Sequence, residues 1–426
     1  MSAATARAPT PSGDDVENRF FAVRKRSLDL VAPLTAEDMG AQAMDDASPA
    51  KWHLAHTSWF FETFVLAPFV NGYRPFDETF AYLFNSYYES VGPRHARARR
   101  GLLTRPTAEE VFAYRAHVDE ALREVFASGE NARPEIARRL ALGRAHEQQH
   151  QELCLTDILA LFAQSPLRPR YRVSRAPGPQ GRASQLAWSS FPGGLRRIGH
   201  AGPGFAFDNE GPAHDAALAP FRLADRLVVN SEWLEFMADG GYDEPCLWLA
   251  DGWALAQREG WEAPAYFEQR DGEWMQMTLD GLCPPDPGAP VAHVSYYEAD
   301  AFARWAGKRL PSEFEWEIAA RDLPVAGNLL EADALRPLPA GVGDGLLQMF
   351  GDAWEWTGSA YLPYPRYRAG DGALGEYNGK FMVNQMTLRG GSCVTPQDHM
   401  RATYRNFFYP HQRWQFTGVR LAEDDA

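Results

Sequence analysis

Between residues 15 and 165 the apolar positions recur every three or four residues; from 187 to 424 they come in short runs broken by Gly and Pro. The first spacing is that of amphipathic helices, and the second texture is that of a loop-rich α+β domain. Four helices are predicted in the first half. Residues 15–31 place Phe20, Phe21, Val23, Leu28 and Leu30 on a candidate buried face. Ser48 followed by Pro49 reads as an N-cap and an N1 proline opening a second helix over 49–66. A connection over about 67–105 follows, too long to be an ordinary loop in a compact domain. Thr107 and Glu110 form a capping box that starts a third helix, to about residue 128. The fourth spans 134–164 and is rich in good helix formers, with no Gly after Gly143. Four helices with one long crossover make a four-helix bundle, an architecture that builds metal sites from facing helices. The Pro-, Gly- and Arg-rich stretch that follows lacks periodicity and reads as a linker. The expected division is a disordered tail over 1–14, a helical domain over 15–165, a linker over 166–186 and an α+β domain over 187–424. In the last of these, helices are predicted only at 230–239, 296–308 and 312–320, the third capped by Ser312 and Glu315.

Charge and cysteine usage narrow the function classes. The net charge of −14 argues against nucleic acid or an anionic membrane as a main partner, because both need a basic footprint. No apolar run reaches the ~18 residues of a membrane span, and the N-terminus lacks the apolar core of a secretory signal. Cys154, Cys246, Cys283 and Cys393 are scattered and form no CxxC, which points to free thiols and a cytoplasmic protein. An acidic chain with 13 Trp suits a small cationic ligand.

The candidate chemistry centres on the fourth helix. His146 and His150 are four residues apart, so both imidazoles share a helix face and make half of a metal site. The run His146-Glu147-Gln148-Gln149-His150 formally matches the zinc-peptidase pattern H-E-x-x-H, with Glu147 as base, but the metzincin extension needs Gly where Leu153 stands. A third ligand is expected from the second helix, where His53 and His56 both qualify; the other is then a core histidine bonded to a backbone carbonyl. Three imidazoles suit Fe(II) or Zn(II) and leave coordination positions open. Tyr87 and Tyr88, in the long crossover, can supply a phenol as acid or hydrogen-atom donor. Arg94, Arg97, Arg99 and Arg100 can hold a carboxylate, although most of such a run is expected to be solvated surface. Residues 404–416 interleave aromatic rings with Arg405, Asn406 and Gln415, a composition that suits a quaternary ammonium wall or a hydrophobic core.

Ser48-Pro49-Ala50-Lys51-Trp52-His53-Leu54-Ala55-His56, Trp59-Phe60-Phe61-Glu62 and the paired histidines together resemble the DinB-like helical domain of the ergothioneine sulfoxide synthases. The second half resembles the formylglycine-generating-enzyme fold, a C-type-lectin-like relative, through Val294–Ala299, Leu310–Glu317, Gly351–Thr357, Arg389–Ser392 and Gly418–Leu421. The resemblance covers about residues 15–424 and implies the fold class α + (α+β), a DinB-like four-helix bundle followed by that domain. It implies a non-haem Fe(2+) ion on His56, His146 and His150, with O2 as co-substrate, joining a sulfur donor to the imidazole C2 of hercynine, a trimethylated histidine. It implies Gln149 and Asn406 as hercynine contacts, Tyr87 and Tyr88 as catalytic candidates, and Arg97 as a candidate for the donor carboxylate. The γ-glutamylcysteine branch has Trp-Asp after the asparagine; here Phe407 and Phe408 stand there, so a cysteine-like donor is expected. The related selenoneine synthases, which use a selenosugar on the same scaffold, are the alternative. Formylglycine generation needs a copper-binding cysteine pair, which this half lacks. A zinc-dependent hydrolase or thiol transferase and a non-catalytic lectin-like binding protein are the readings from other classes.

Overall fold

The helices of the first half form where the apolar spacing predicts them. The computed structural model describes residues 13–173 and 185–425. Its long helices in this half are α1 (Gly13–Val31), α2 (Ala50–Phe61), α3 (Ala108–Ala127) and α4 (Pro134–Gln164). The Thr107–Glu110 capping box opens α3, satisfying donors that the helix itself leaves free. Every residue of α2 is buried, which fits a helix apolar on most of its circumference. α2 and α4 approach closely because Gly143 has no side chain: a Cβ there would lie 2.4 Å from Phe61 Cε1.

Three local expectations are corrected. Pro49, not Ser48, takes the N-cap position of α2 and makes no side-chain cap bond; Ser48 Oγ instead accepts from Arg100 Nη1 at 2.8 Å. The predicted continuation to residue 66 is a π-helical turn, Glu62–Leu66, at which Glu62 accepts from Tyr73 Oη (2.6 Å) and Tyr114 Oη (2.7 Å). Phe21 and Leu28 are only half-buried, while Arg24 is buried on the same helix.

The crossover is a built loop. It contains short helices at Phe80–Leu83 and Arg97–Leu102. The buried Asn85 staples the turn between them: its Nδ2 donates to the carbonyls of Tyr88 (3.0 Å) and Gly92 (3.1 Å), and its Oδ1 accepts from Tyr88 N (3.1 Å).

In the second half the strands are β1 (Trp188–Phe191), β2 (Gly194–Ile198), β3 (His214–Leu218), β4 (Phe221–Ala224), β5 (Phe267–Arg270), β6 (Glu273–Thr278), β7 (Gly281–Cys283), β8 (Trp354–Ala360), β9 (Met386–Arg389), β10 (Asn406–Phe408), β11 (Thr417–Gly418) and β12 (Ala422–Asp424). They form sheets ordered β1-β4-β12, β10-β9-β8-β11, β2-β3 and β5-β6-β7. The helices are α5 (Asn230–Ala238), α6 (Ala250–Glu259), α7 (Tyr296–Trp305) and α8 (Glu313–Ala320), the last with the predicted Ser312–Glu315 box. α6 was not predicted; its N-cap is Leu249, which makes no side-chain bond and so leaves no start signal. Buried ion pairs hold this domain: Arg389 with Glu313 and Glu317, Arg405 with Glu313, and Arg420 with Glu355.

The architecture is a helical bundle followed by a loop-rich α+β domain, and α4 joins the two. Glu152 on α4 accepts from Trp354 Nε1 (2.6 Å), Ser392 Oγ (3.0 Å) and Thr395 Oγ1 (2.7 Å). The start of the expected linker packs on both halves: Tyr171 Oη donates to Leu30 O (2.6 Å), and Tyr171 N to Leu279 O (3.0 Å). Residues 174–184 of that linker and 1–12 of the expected tail lie outside the described residues. Among the described residues no helix is long and apolar enough to cross a membrane, and the four cysteines are free.

Candidate metal centre

Residues 146–152, HEQQHQE, are a polar run inside a largely buried helix. Burial of polar groups is costly unless each finds a partner. Here the helical rotation aims the side chains at different neighbouring elements. His146 and His150 face α2. Glu147 faces α1 and α3, accepting from Arg24 Nη1 (2.8 Å), Ser27 Oγ (2.6 Å) and Arg115 Nη2. Gln151 Nε2 donates to Val23 O (2.8 Å) and Ser27 Oγ (3.0 Å). Gln148, Gln149 and Glu152 face the second domain, Gln148 Nε2 donating to Asp398 and Gln149 Nε2 to Tyr404 Oη at 2.7 Å. Glu147 is thus locked into an ion-pair cluster away from the histidine pair, and the peptidase role for it fails on geometry.

His56, His146 and His150 form a triangle with ring-centroid separations of 4.8, 4.7 and 4.6 Å. One nitrogen from each lies within 4.8 Å of the others, close enough to hold a metal ion. His56 Nε2 and His146 Nε2 are 3.1 Å apart. Two nitrogens held at right angles by one ion, each about 2.1 Å from it, are about 3.0 Å apart, so this pair fits. Burial pushes all three imidazoles well below their ordinary pKa, His146 to about 3, so they are neutral and have lone pairs to give. Trp52 and Trp59 both stack on His56, with centroids at 4.6 and 5.4 Å and planes 14° and 15° apart. The Arg100 guanidinium covers Trp52 at 3.3 Å.

The two histidines of α2 are placed differently from the sequence expectation. His56 is the one bonded to a backbone carbonyl, through Nδ1 to Phe84 O at 2.6 Å; that leaves Nε2 bare and facing His146. His53 lies outside the triangle. Its Nδ1 meets His150 Nδ1 at 2.8 Å, and its Nε2 meets Asp157 Oδ2 at 3.0 Å.

Tyr88 is buried beside the centre, its ring 5.6 Å from Trp59 and 5.1 Å from Phe64. Tyr87 stacks on it at 4.7 Å and is half-buried. Burial pushes both phenols well above their ordinary pKa, so both keep their protons at neutral pH; the Arg97 charge acts in the opposite direction on Tyr87. Arg94, Arg97 and Arg99 are exposed, as expected of a solvated run, whereas Arg100 is buried. Phe407 connects to the tyrosines through Phe381: Phe407–Phe381 is 5.9 Å and Phe381–Tyr87 is 5.2 Å. Phe407 also stacks on Tyr361 at 4.1 Å. Phe408 is half-buried against the core. Asn406 is half-buried, and its Oδ1 accepts from Phe407 N at 2.9 Å.

Sequence reasoning missed Tyr377. Its ring stands edge-on to His146 at 5.7 Å, and its hydroxyl donates to Gln149 Oε1. It lies in an irregular loop with no periodic signal. Asp157 was also missed, although its spacing was readable: seven residues after His150, two turns on, it shares that helix face. Beside Tyr377 a cavity of about 700 Å³ is lined by Arg138, Arg139 and Leu142 of α4 and by Phe205, Phe207 and Asp208. Arg139 and Leu142 are seven and four residues before His146, so the cavity continues the stripe that carries the centre.

Comparison with known proteins agrees with this layout. The DinB superfamily model matches residues 19–154, and the model for the sulfatase-modifying factor enzyme 1-like domain matches 173–333 and 342–425. The hercynine oxygenase of Mycolicibacterium smegmatis is 34% identical, covering 94% of this chain and 96% of its own length. That of Mycolicibacterium thermoresistibile is 33% identical, covering 97% and 96%. The formylglycine-generating enzyme of Streptomyces coelicolor is 29% identical over 62% of this chain. With two relatives above 30% identity along almost the whole chain and both halves matched in order, the chain is an oxidoreductase that belongs to the hercynine oxygenase family of sulfoxide synthases.

Proposed function

We propose that this chain is an O2-dependent non-haem Fe(II) enzyme that forms a carbon–chalcogen bond at the imidazole C2 of hercynine, with a cysteine-like thiol as donor. The observation that carries the reading is the triangle of His56, His146 and His150, the first two buried and His150 half-buried. A ferrous ion held there would supply O2 reduction and coordination positions for the imidazole and the chalcogen. The chain's own residues do the rest. Gln149, fixed between Tyr377 and Tyr404, presents a half-buried amide beside the ligand pair and orients hercynine. Asn406 contributes a second amide, and Phe407 extends the aromatic wall to Tyr87. The buried Tyr88 and the half-buried Tyr87 hold protonated phenols and serve as the donors of a proton or hydrogen atom. The Arg97 cation binds the donor carboxylate. Holding both substrates against one centre converts an encounter of separate molecules into an oriented one.

A selenosugar donor is the second reading. Phe407 and Phe408, which argue against γ-glutamylcysteine, are equally compatible with it. A zinc-dependent hydrolase is disfavoured because Glu147, its candidate base, is paired with two arginines. The test is anaerobic reconstitution with Fe(II), then O2 and hercynine with cysteine, γ-glutamylcysteine or a selenosugar, read by mass spectrometry. A C2-coupled product with cysteine or with the selenosugar is expected, and the donor used decides between the two readings. Coupling with γ-glutamylcysteine alone overturns the donor assignment. No coupling with any donor overturns the proposal.

A further inference from the structure

His53 is buried three residues before His56, yet it lies outside the nitrogen triangle and meets it only through His150. We infer that His53 and Asp157 form a positioning relay that fixes the tautomer and ring angle of His150. The inference rests on reading the three histidines as a metal site. Its basis is a continuous line of contacts: His150 Nδ1 to His53 Nδ1 at 2.8 Å, then His53 Nε2 to Asp157 Oδ2 at 3.0 Å.

Asp157 Oδ2 already accepts from Ser48 N at 2.8 Å and lies 3.0 Å from His53 Nε2. When His150 gives Nε2 to an ion, its ring proton sits on Nδ1 and is donated to His53 Nδ1. His53 then donates from Nε2 to the Asp157 carboxyl oxygen.

The relay is anchored at its far end. Ser48, whose N–H holds Asp157, accepts through Oγ from Arg100, and Arg100 lies over Trp52, which stacks on His56. The Ser48, Trp52 and His53 positions of the opening motif of α2 thereby acquire one shared purpose. They hold two ligands, His56 and His150, from outside the centre. The three ligands are supported unequally. His56 Nδ1 bonds a neutral carbonyl, His146 Nδ1 is buried with no partner among the described residues, and only His150 is backed by a carboxylate. A ligand whose remote nitrogen leans on a carboxylate is both better oriented and more basic.

The test uses the full chain and Fe(II) alone, with affinity measured anaerobically by competition against a chelator. His53→Leu removes both contacts. His53→Gln restores them, since its amide oxygen can accept from His150 and its NH2 can donate to Asp157. Leucine is expected to weaken Fe(II) binding about 10–100-fold, and glutamine to recover most of that loss. The ligand-field absorption of the Co(II)-loaded protein should shift in the leucine variant and return in the glutamine variant. Thermal unfolding of the metal-free variants separates a folding defect from a loosened ligand. If leucine unfolds the metal-free chain, Asp157→Asn takes its place, with a several-fold loss expected. Wild-type affinity in His53→Leu, or an equal loss in both His53 variants, overturns the relay, as does unchanged affinity in Asp157→Asn. A wild type that takes up no ion fails the metal reading instead, and the two failures are distinct.

Discussion

Glu147→Gln deletes a single negative charge from between two buried guanidiniums. The carboxylate is wholly buried, and the side chains of Arg24 and Arg115 are 2% and 1% exposed. Burial alone would raise the Glu147 pKa; the charges of Arg115 and Arg24 overcome it and hold the group at about 2, against an ordinary value of 4.5. At 1.36 kcal/mol for each tenfold change, that drop is worth about 3 kcal/mol of stability at neutral pH. Breaking a buried ion pair from one side costs about 3–5 kcal/mol by an independent route, so the two figures agree in scale. The sign follows from a lowered carboxylate: the contribution is complete above pH 4.5 and fades as the pH falls toward 2. In a cooperative unit of 150–250 residues this corresponds to a melting point lower by about 6–12 °C. The assay is thermal unfolding of the full chain, wild type against variant, at pH 7 and again near pH 3. The gap should be wide at pH 7 and narrower in acid. The folded variant should keep its metal and its turnover, because Glu147 faces α1 and α3 rather than the histidine pair. A melting point unchanged to within about 2 °C would refute the reasoning. So would a fully stable variant that has lost only turnover, since that would place Glu147 in the chemistry.

Three further outcomes are expected. Gly143→Ala forces a Cβ to within 2.4 Å of Phe61 and should cost about 1–3 kcal/mol, read as a lower melting point together with weaker Fe(II) binding from displacement of His146. Tyr377→Phe removes the hydroxyl bond to Gln149 while leaving the ring against His146; iron content should be unchanged and the yield of coupled product per O2 consumed should fall. Glu152→Leu leaves Trp354 Nε1 buried without its acceptor and takes the carboxylate from the Ser392–Thr395 hydroxyl pair, at about 1–3 kcal/mol for each donor left unmatched, and limited proteolysis should report loosened docking of the second domain on α4.

Features that depend on a few neighbouring residues were legible in the sequence. The i, i+4 pair His146 and His150, the Thr107 and Ser312 capping boxes and the ends of α4 all follow from local backbone geometry. Features set by tertiary partners were not. Ser48 has the composition of an N-cap, but a buried arginine from the crossover claims its hydroxyl. Arg24 and Arg115 look like helix-surface residues until Glu147 meets them from a third helix. His53 and His56 carry the same chemistry three residues apart, and only Phe84 O, Asp157 and the position of His150 distinguish their surroundings. Tyr377 reaches the centre from a loop more than 200 residues downstream of α4, which no local period can announce.

The central claim is that one ion is shared by nitrogens from α2 and α4. Its most direct test is the Fe(II) stoichiometry of the anaerobically loaded full-length protein, beside His56→Ala, His146→Ala and His150→Ala, each checked for folding in the metal-free state. One equivalent in the wild type and its loss in each of the three folded variants is the expected result. Full occupancy in any one of them, or a wild type that binds no iron, would contradict it.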